Sequence, residues 1–287
     1  MFSSATNALI VEGGAMRGIF ASGVLDAFVE SHHYPFDFVM GVSAGATNLV
    51  SYLSEQPRRS HHIITELACS SDFLDPLRFV KGGDLVDISW LWRTSRYRFP
   101  LDLDTFSACR IPFYAVTTDV ATGEAVYLPV RPDNMDEVLT ATCALPVVQH
   151  ETPSVDGRPM ADGGISDSIP VLEAYRRGAR RMTVVLSEPR GYRKKPARFC
   201  WMVKALLKTQ PALAQAMLAR DVAYNRALDF IETPPADCEI EVIAPPAGFP
   251  VSRFTRDQLK LESGYLQGYW QGRQSLLRAA GEVMAVA

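Results

Sequence analysis

A serine enclosed by glycines marks the first candidate for chemistry in this chain. Gly41-Val42-Ser43-Ala44-Gly45 matches G-x-S-x-G, the pattern that presents a nucleophile on a sharp strand-to-helix turn. The apolar stretch Asp37–Met40 ahead of it reads as a strand. Behind it, Ala46, Leu49, Val50 and Leu53 recur at helical spacing. Glycines at both ends let the backbone turn tightly and leave no Cβ in the way of a substrate. Ser43 would sit at the positive end of the helix dipole, which favours negative charge nearby. A plain turn with an ordinary serine competes for the five letters alone, and the strand and helix on either side weigh against it.

A serine hydroxyl needs a base. In the α/β-hydrolase order an acid and then a histidine follow the serine. Here the histidines stand at 32, 33, 61, 62 and 150, and none lies in the last 137 residues. No histidine follows Asp162, the best acidic candidate, so that order cannot be completed. A carboxylate can instead act directly. In Asp162-Gly163-Gly164 two glycines let a loop bring the carboxylate close to another backbone, and burial beside a nucleophile would raise its basicity. Read alone, Asp-Gly-Gly is also a common turn.

Acyl transfer further requires donors for a tetrahedral oxyanion. Glu12-Gly13-Gly14-Ala15-Met16-Arg17-Gly18 follows the strand-like run Asn7–Val11 and precedes a helical pattern. Glycines there expose backbone N–H groups at a helix N-terminus. Nucleotide binding is the rival use of such a loop. No GK[ST] follows, and Ala15 occupies the middle glycine of a dinucleotide fingerprint, so both phosphate motifs fail.

Three elements now stand in order: a glycine-rich loop, G-x-S-x-G, and a distal D-G-G. This set resembles the patatin-like phospholipases, serine acyl hydrolases with a Ser–Asp dyad. The family's loop, [DE]-G-G-G-x-[RK]-G, is matched by Glu12, Gly13, Gly14, Arg17 and Gly18, and its nucleophile motif by Gly41, Ser43 and Gly45. Its aspartate motif, with a proline a few residues on, is matched by Asp162, Gly163, Gly164 and Pro170, and Ala-Thr-Cys-Ala-Leu-Pro at 141–146 looks like the segment ahead of that aspartate. The resemblance implies a nucleophile at Ser43, a base at Asp162 and an oxyanion hole from Gly13, Gly14 and Ala15, with no metal or other cofactor. It implies hydrolysis of acyl-lipid or phospholipid-like esters. An acyltransferase with the same dyad and a non-catalytic lipid-binding regulatory protein are the alternatives. Ala15 departs from the family's glycine. With a negative φ there the exchange is nearly silent, because the donor is a backbone N–H, and that is the expectation. Arg17 is expected to orient the loop through a salt bridge.

The elements that must position these residues alternate strand and helix over the first ~190 residues, which implies a parallel sheet with crossover helices. The expected fold is α/β, a mainly parallel central sheet with helices on both faces. Residues 1–190 form the expected catalytic core and 191–287 a C-terminal extension packed on it. Further strands are expected at Phe113–Thr118, Ala125–Leu128, ending near Asp162, at Thr183–Leu186 and at Glu239–Ile243. Helical patterns cover 133–144, 199–231 with a break at Pro211, and 257–277. Residues 72–108 are aromatic and turn-rich without a clear period, a candidate lid. There Trp90, Trp92, Tyr97 and Phe99 leave core packing and an acyl pocket equally open.

Composition narrows the remaining classes. With 47% hydrophobic and 21% charged residues the chain is neither disordered nor collagenous, and 29 Lys+Arg against 32 Asp+Glu give no pull toward nucleic acid. Five cysteines (69, 109, 143, 200, 238) form no CxxC and read as small core residues in a reducing compartment. His32-His33 and His61-His62 lack partners at metal spacing, and surface positions are expected. No apolar run is long enough to span a membrane, and Ala8–Val11 is too short for a signal-peptide core, so cytoplasm is the expected location. Between Glu173 and Lys208 stand eleven basic residues against two acids, with Phe199 and Trp201 beside them. That asymmetry is a solvated surface or a peripheral contact with anionic lipid.

Overall fold

Strands covered on both faces read as continuous apolar runs, and Ala8–Val11 is such a run. In a computed structural model of the chain, which describes residues 6–146, 149 and 152–286, it is the middle one of five parallel strands. The order of elements opens β1 (Thr6–Val11), α1 (Gly18–Glu30), β2 (Phe38–Val42), α2 (Ala44–Leu53) and α3 (Arg59–His62), the last running into a π-turn at Ile63–Leu67. Three short helices follow, α4 (Pro76–Val80), α5 (Ile88–Arg98) and α6 (Leu103–Ala108). Then come β3 (Phe113–Asp119), β4 (Ala125–Pro129), α7 (Met135–Cys143), β5 (Ser154–Val155) and β6 (Arg158–Asp162). The rest is α8 (Val171–Arg176), β7 (Ala179–Val185), α9 (Cys200–Leu206), α10 (Pro211–Leu218), α11 (Arg220–Glu232), β8 (Glu239–Ile243) and α12 (Gln258–Val286).

The sheet runs β5-β6-β3-β2-β1-β7-β8, with β4 also paired to β3. From β3 to β8 every pairing is parallel, and β4 and β6 join β3 antiparallel. Period-two alternation sends Leu9, Val11 and Val39 into one core with Phe20, Leu49 and Leu139, and sends Ala8, Ile10 and Met40 into another with Val171 and Tyr224. The architecture is thus the expected α/β one, a largely parallel sheet with helices on both faces. All seven anticipated strands form. β7 begins four residues earlier than its apolar tract, at Ala179, because Arg181 pairs along β1 and β8 with its side chain in solvent.

The aperiodic segment 72–108 becomes helical for a local reason. Each short helix begins at an aspartate whose carboxylate accepts N–H groups of the first turn: Asp75 from Leu77 and Arg78, Asp87 from Trp90, Asp102 from Thr105. Trp90 and Trp92 pack against a cluster containing Met16, Ile19 and Leu261, which decides for packing at those two positions, whereas Tyr97 is exposed. Two expectations are corrected. His61 is buried rather than on the surface, because its ring bonds Glu262 at 2.7 Å and stacks edge-on to Tyr265. The cysteines are free thiols, but only Cys238 is buried and Cys200 is exposed, since α9 has no buried face. His150 lies outside the described residues.

Past β7 the chain adds β8 to the sheet edge and lays α12 on α1. That helix pair is unusually close. A Cβ on Gly23 would stand 2.1 Å from the Tyr265 carbonyl oxygen, and one on Gly268 would stand 2.0 Å from that of Phe20.

Candidate active site

Ser43 occupies the turn between β2 and α2 with φ 51° and ψ −125°, a region that costs a non-glycine residue about 1–3 kcal/mol. The surroundings hold it there. Thr142 Oγ1, on the last turn of α7, accepts the Ser43 backbone N–H at 2.9 Å, and the Thr142 hydroxyl donates to the Val116 carbonyl of β3. The flanking glycines answer a demand for space. A Cβ on Gly41 would stand 2.6 Å from Ala46 Cα, and one on Gly45 would stand 2.3 Å from the Val11 carbonyl oxygen. Serine is a favoured helix N-cap, yet the Ser43 hydroxyl caps nothing.

That hydroxyl neighbours the Asp162 carboxyl and the Cys143 thiol and lowers the pKa of both. Asp162 ends β6 opposite Thr117 of β3 and is 3% exposed. Its backbone is pinned on both sides: the N–H donates to the Ala144 carbonyl at 2.8 Å, and its carbonyl accepts the Thr118 hydroxyl at 2.8 Å. Its Oδ1 accepts the Gly164 N–H at 2.7 Å. Burial pushes the Asp162 carboxyl above the usual carboxylate range, opposed by the Arg220 charge, the Ser43 hydroxyl and the Gly164 N–H. Desolvation and the Asp162 charge likewise push the Cys143 thiol up, so it stays a neutral neighbour. Gly163 fits against β3, where a Cβ would stand 2.1 Å from the Val116 carbonyl oxygen.

The loop after β1 lies against the same turn. A Cβ on Gly13 would stand 2.7 Å from the Val42 carbonyl oxygen and 3.0 Å from Ser43 Cβ. Among the described residues, the N–H groups of Gly13, Gly14 and Ala15 make no hydrogen bond within the chain. They are available as donors beside Ser43, whereas the Ser43 N–H is committed to Thr142. Ala15 departs from expectation: its φ is +49°, not negative. Alanine in place of glycine here is therefore strained by roughly 1–2 kcal/mol rather than silent.

Arg17 faces the protein. Its Nε donates to the Ser187 carbonyl at 2.7 Å, Nη1 to the Val251 carbonyl at 2.7 Å, and Nη2 pairs with Glu188 at 3.0 Å. Gly18 starts α1 with its carbonyl accepting Asn48 Nδ2 at 2.8 Å, which ties α1 to α2. Glu12 is buried, accepting the Ser187 N–H at 2.6 Å and the Tyr224 hydroxyl at 2.8 Å, and burial raises its carboxyl. Thr142, Cys143 and Arg220 are neighbours of this site that motif reading did not single out. The Ala-Thr-Cys-Ala-Leu-Pro segment held the signal for the first two. Among the described residues no cluster of three or more His, Cys, Asp or Glu side chains could hold a metal ion.

The geometry meets its relatives at this point. Residues 9–175 match the family model described as patatin-like phospholipase, and residues 210–280 match a domain of unknown function, DUF6363. The chain is 36% identical over 253 residues to the uncharacterized protein YjjU of Escherichia coli, covering 83% of this chain and 68% of that one. An uncharacterized NTE family protein of Mycobacterium bovis is 41% identical over 63 residues, 21% of this chain and 16% of its own. Among solved structures, VipD from Legionella pneumophila aligns with TM-score 0.50 at 12% identity, over 95% of this chain and 66% of that one. That likeness concerns the fold alone.

Proposed function

The chain belongs to the patatin-like phospholipase family, a family of lipid acyl hydrolases, and from that membership we propose that it is a serine ester hydrolase working through a Ser43–Asp162 dyad. One observation carries the reading. A buried carboxyl pushed up by desolvation neighbours the hydroxyl of a serine held on a strained strand-to-helix turn, with unused backbone N–H groups alongside.

Asp162 takes the Ser43 proton as Oγ attacks the ester carbonyl carbon. The carbonyl oxygen becomes an oxyanion held by N–H groups of the Gly13–Ala15 loop at the N-terminal end of α1. Collapse of the intermediate breaks the ester bond, and the alcohol leaves with the proton from Asp162. Water then attacks the acyl-serine while Asp162 takes its proton, and the carboxylic acid departs as Ser43 is reprotonated. In each half-reaction Asp162 carries one proton from the attacking oxygen to the leaving oxygen, first from Ser43 to the alcohol and then from water to Ser43, so no imidazole is required.

The test is hydrolysis of a short-chain chromogenic ester together with labelling by a fluorophosphonate probe. Both should vanish in Ser43→Ala, and hydrolysis should vanish in Asp162→Asn, with folding retained. Hydrolysis undiminished in Ser43→Ala overturns the proposal. Failure of folded wild-type protein to react with the probe points to the non-catalytic lipid-binding alternative. Ester products formed with added alcohols at the expense of free acid point to the acyltransferase.

Peripheral contact with a membrane belongs to the same proposal. Among the described residues no helix is long and apolar enough to cross a membrane. Phe199 and Trp201 are 58% and 70% exposed beside Arg198, Lys204 and Lys208, the pairing of aromatic anchor and basic charge that suits an anionic surface. Co-sedimentation with anionic vesicles, reduced in Trp201→Ala, supports it, and co-sedimentation unaffected by that change counts against it.

A further inference from the structure

Beyond the matched 9–175 region, a cavity of about 450 Å³ opens between the segment after β7 and helices α9 to α11. Its lining includes Arg193, Lys194, Lys195 and Arg220 against a single acid, Asp221. Arg193 is already spent on Asp229 and Glu232. Among the described residues Lys194 and Lys195 stand in no ion pair, Arg220 has Asp162 as its main opposing charge, and the buried Arg220 Nε has no hydrogen-bond partner. A buried donor left open costs about 1–3 kcal/mol.

The lysine is held in place. Asn225 of α11 grips the Lys194 backbone twice, accepting its N–H at 2.9 Å and donating to its carbonyl at 2.9 Å. The ammonium lies 4.5 Å from the centre of the Tyr224 ring. Desolvation and the like charges of Arg220 and Arg253 push Lys194 down to about 8. Asp162, Glu12 and Glu188 offset part of this positive charge, and a bound anion would add to that offset. Arg220 also links the cavity to the reacting centre. A Cβ placed on Gly164 would meet Arg220 Nη2 at 3.2 Å and Asp162 Oδ1 at 3.0 Å.

We propose that Lys194 and Arg220 form a phosphate-binding subsite at the edge of the dyad, supplied by the C-terminal third of the chain and occupied by the phosphate of a glycerophospholipid headgroup. The assignment of the headgroup rests on the esterase reading, whereas the phosphate site does not. Val203 and Met217 give the cavity an apolar wall that fits a glycerol or acyl segment beside the charge. A free phosphate ester would satisfy the same cations, and the experiment separates the two sources.

Inorganic phosphate and glycerophosphocholine are titrated calorimetrically into wild-type, Lys194→Gln and Lys194→Arg proteins, each checked for folding by circular dichroism. Loss of one charge-assisted hydrogen bond should weaken binding about tenfold in Lys194→Gln, with recovery in Lys194→Arg. In parallel, kcat/KM is compared for a lysophospholipid and a monoacylglycerol of the same chain length. A fall in the phospholipid preference of Lys194→Gln, carried by KM, assigns the site to the headgroup. An unchanged preference with weakened phosphate binding keeps the site and assigns it to a free phosphate ester. Absence of millimolar binding of either probe to wild-type protein, or equal binding by Lys194→Gln, overturns the proposal. If wild-type protein hydrolyses no ester, the calorimetry still decides the site while the esterase reading fails separately.

Discussion

Thr142 Oγ1 accepts the Ser43 backbone N–H at 2.9 Å, so a side chain on α7 fixes the conformation of a residue 99 positions earlier. The same hydroxyl donates to Val116 on β3, which references the turn to the sheet. Thr142→Val keeps the shape and removes both bonds. It should destabilise the protein by about 1–3 kcal/mol, the cost of an orphaned buried N–H, read from urea unfolding. It should also slow fluorophosphonate labelling of Ser43. Thr142→Ser restores the acceptor and should recover most of both. Labelling at the wild-type rate in Thr142→Val would show that the turn holds itself.

Ala15 carries backbone strain of its own in the loop after β1. With φ at +49°, Ala15→Gly removes a steric cost of about 1–2 kcal/mol and adds back part of it as unfolded-state entropy. The expected net is a gain of up to about 1 kcal/mol in thermal unfolding, with ester hydrolysis retained because the donor N–H is unchanged. A loss of stability would show that the Ala15 methyl contributes packing that outweighs its conformation.

Asp162 has a raised carboxyl in the folded protein, and the sign of that shift has two consequences. A base must be ionised, so kcat/KM should climb with pH through an apparent pKa above that of a free aspartate and level off beyond it. For stability the direction reverses. A group that binds its proton more tightly when folded favours folding at low pH, and that contribution is lost as pH rises through the folded pKa. Asp162→Asn should therefore unfold at a higher temperature than wild type near pH 8, with the difference shrinking toward pH 4. Parallel melting curves across that range would refute this if the gap stayed constant.

What could be read from the sequence follows what is local. Ala8–Val11 and the turn around Ser43 announce themselves because a buried parallel strand is a continuous apolar run and a tight elbow needs glycine. Thr142 and Cys143 were visible only as part of a familiar segment, since a helix end meets Ser43 through tertiary packing and not through spacing. His61 misleads for the same reason: the partner that buries it, Glu262, lies 201 residues away. The sign of φ at Ala15 depends on how the loop is wedged between Val42 and Ser187, which no local pattern carries. The Asp caps of α4, α5 and α6 are local signals, but with no apolar period behind them they did not mark helices.

The closeness of α1 and α12 tests how firmly the C-terminal helix is bound to the core. Gly268 faces the Phe20 carbonyl oxygen with only 2.0 Å available for a Cβ, and Gly23 faces that of Tyr265 with 2.1 Å. The listening neighbours are backbone atoms of packed helices, so neither can yield without moving a helix. The Tyr265 hydroxyl also donates to Asp26 at 2.9 Å in the same seam. Gly268→Ala should force the helices apart and cost about 1–3 kcal/mol, the usual range for overpacking, despite the better helix propensity of alanine. Gly281→Ala on the same helix meets nothing within 4 Å and should be neutral or gain up to about 1 kcal/mol. Equal melting temperatures for the two variants would mean that the seam opens freely and that α12 is not part of the cooperative fold.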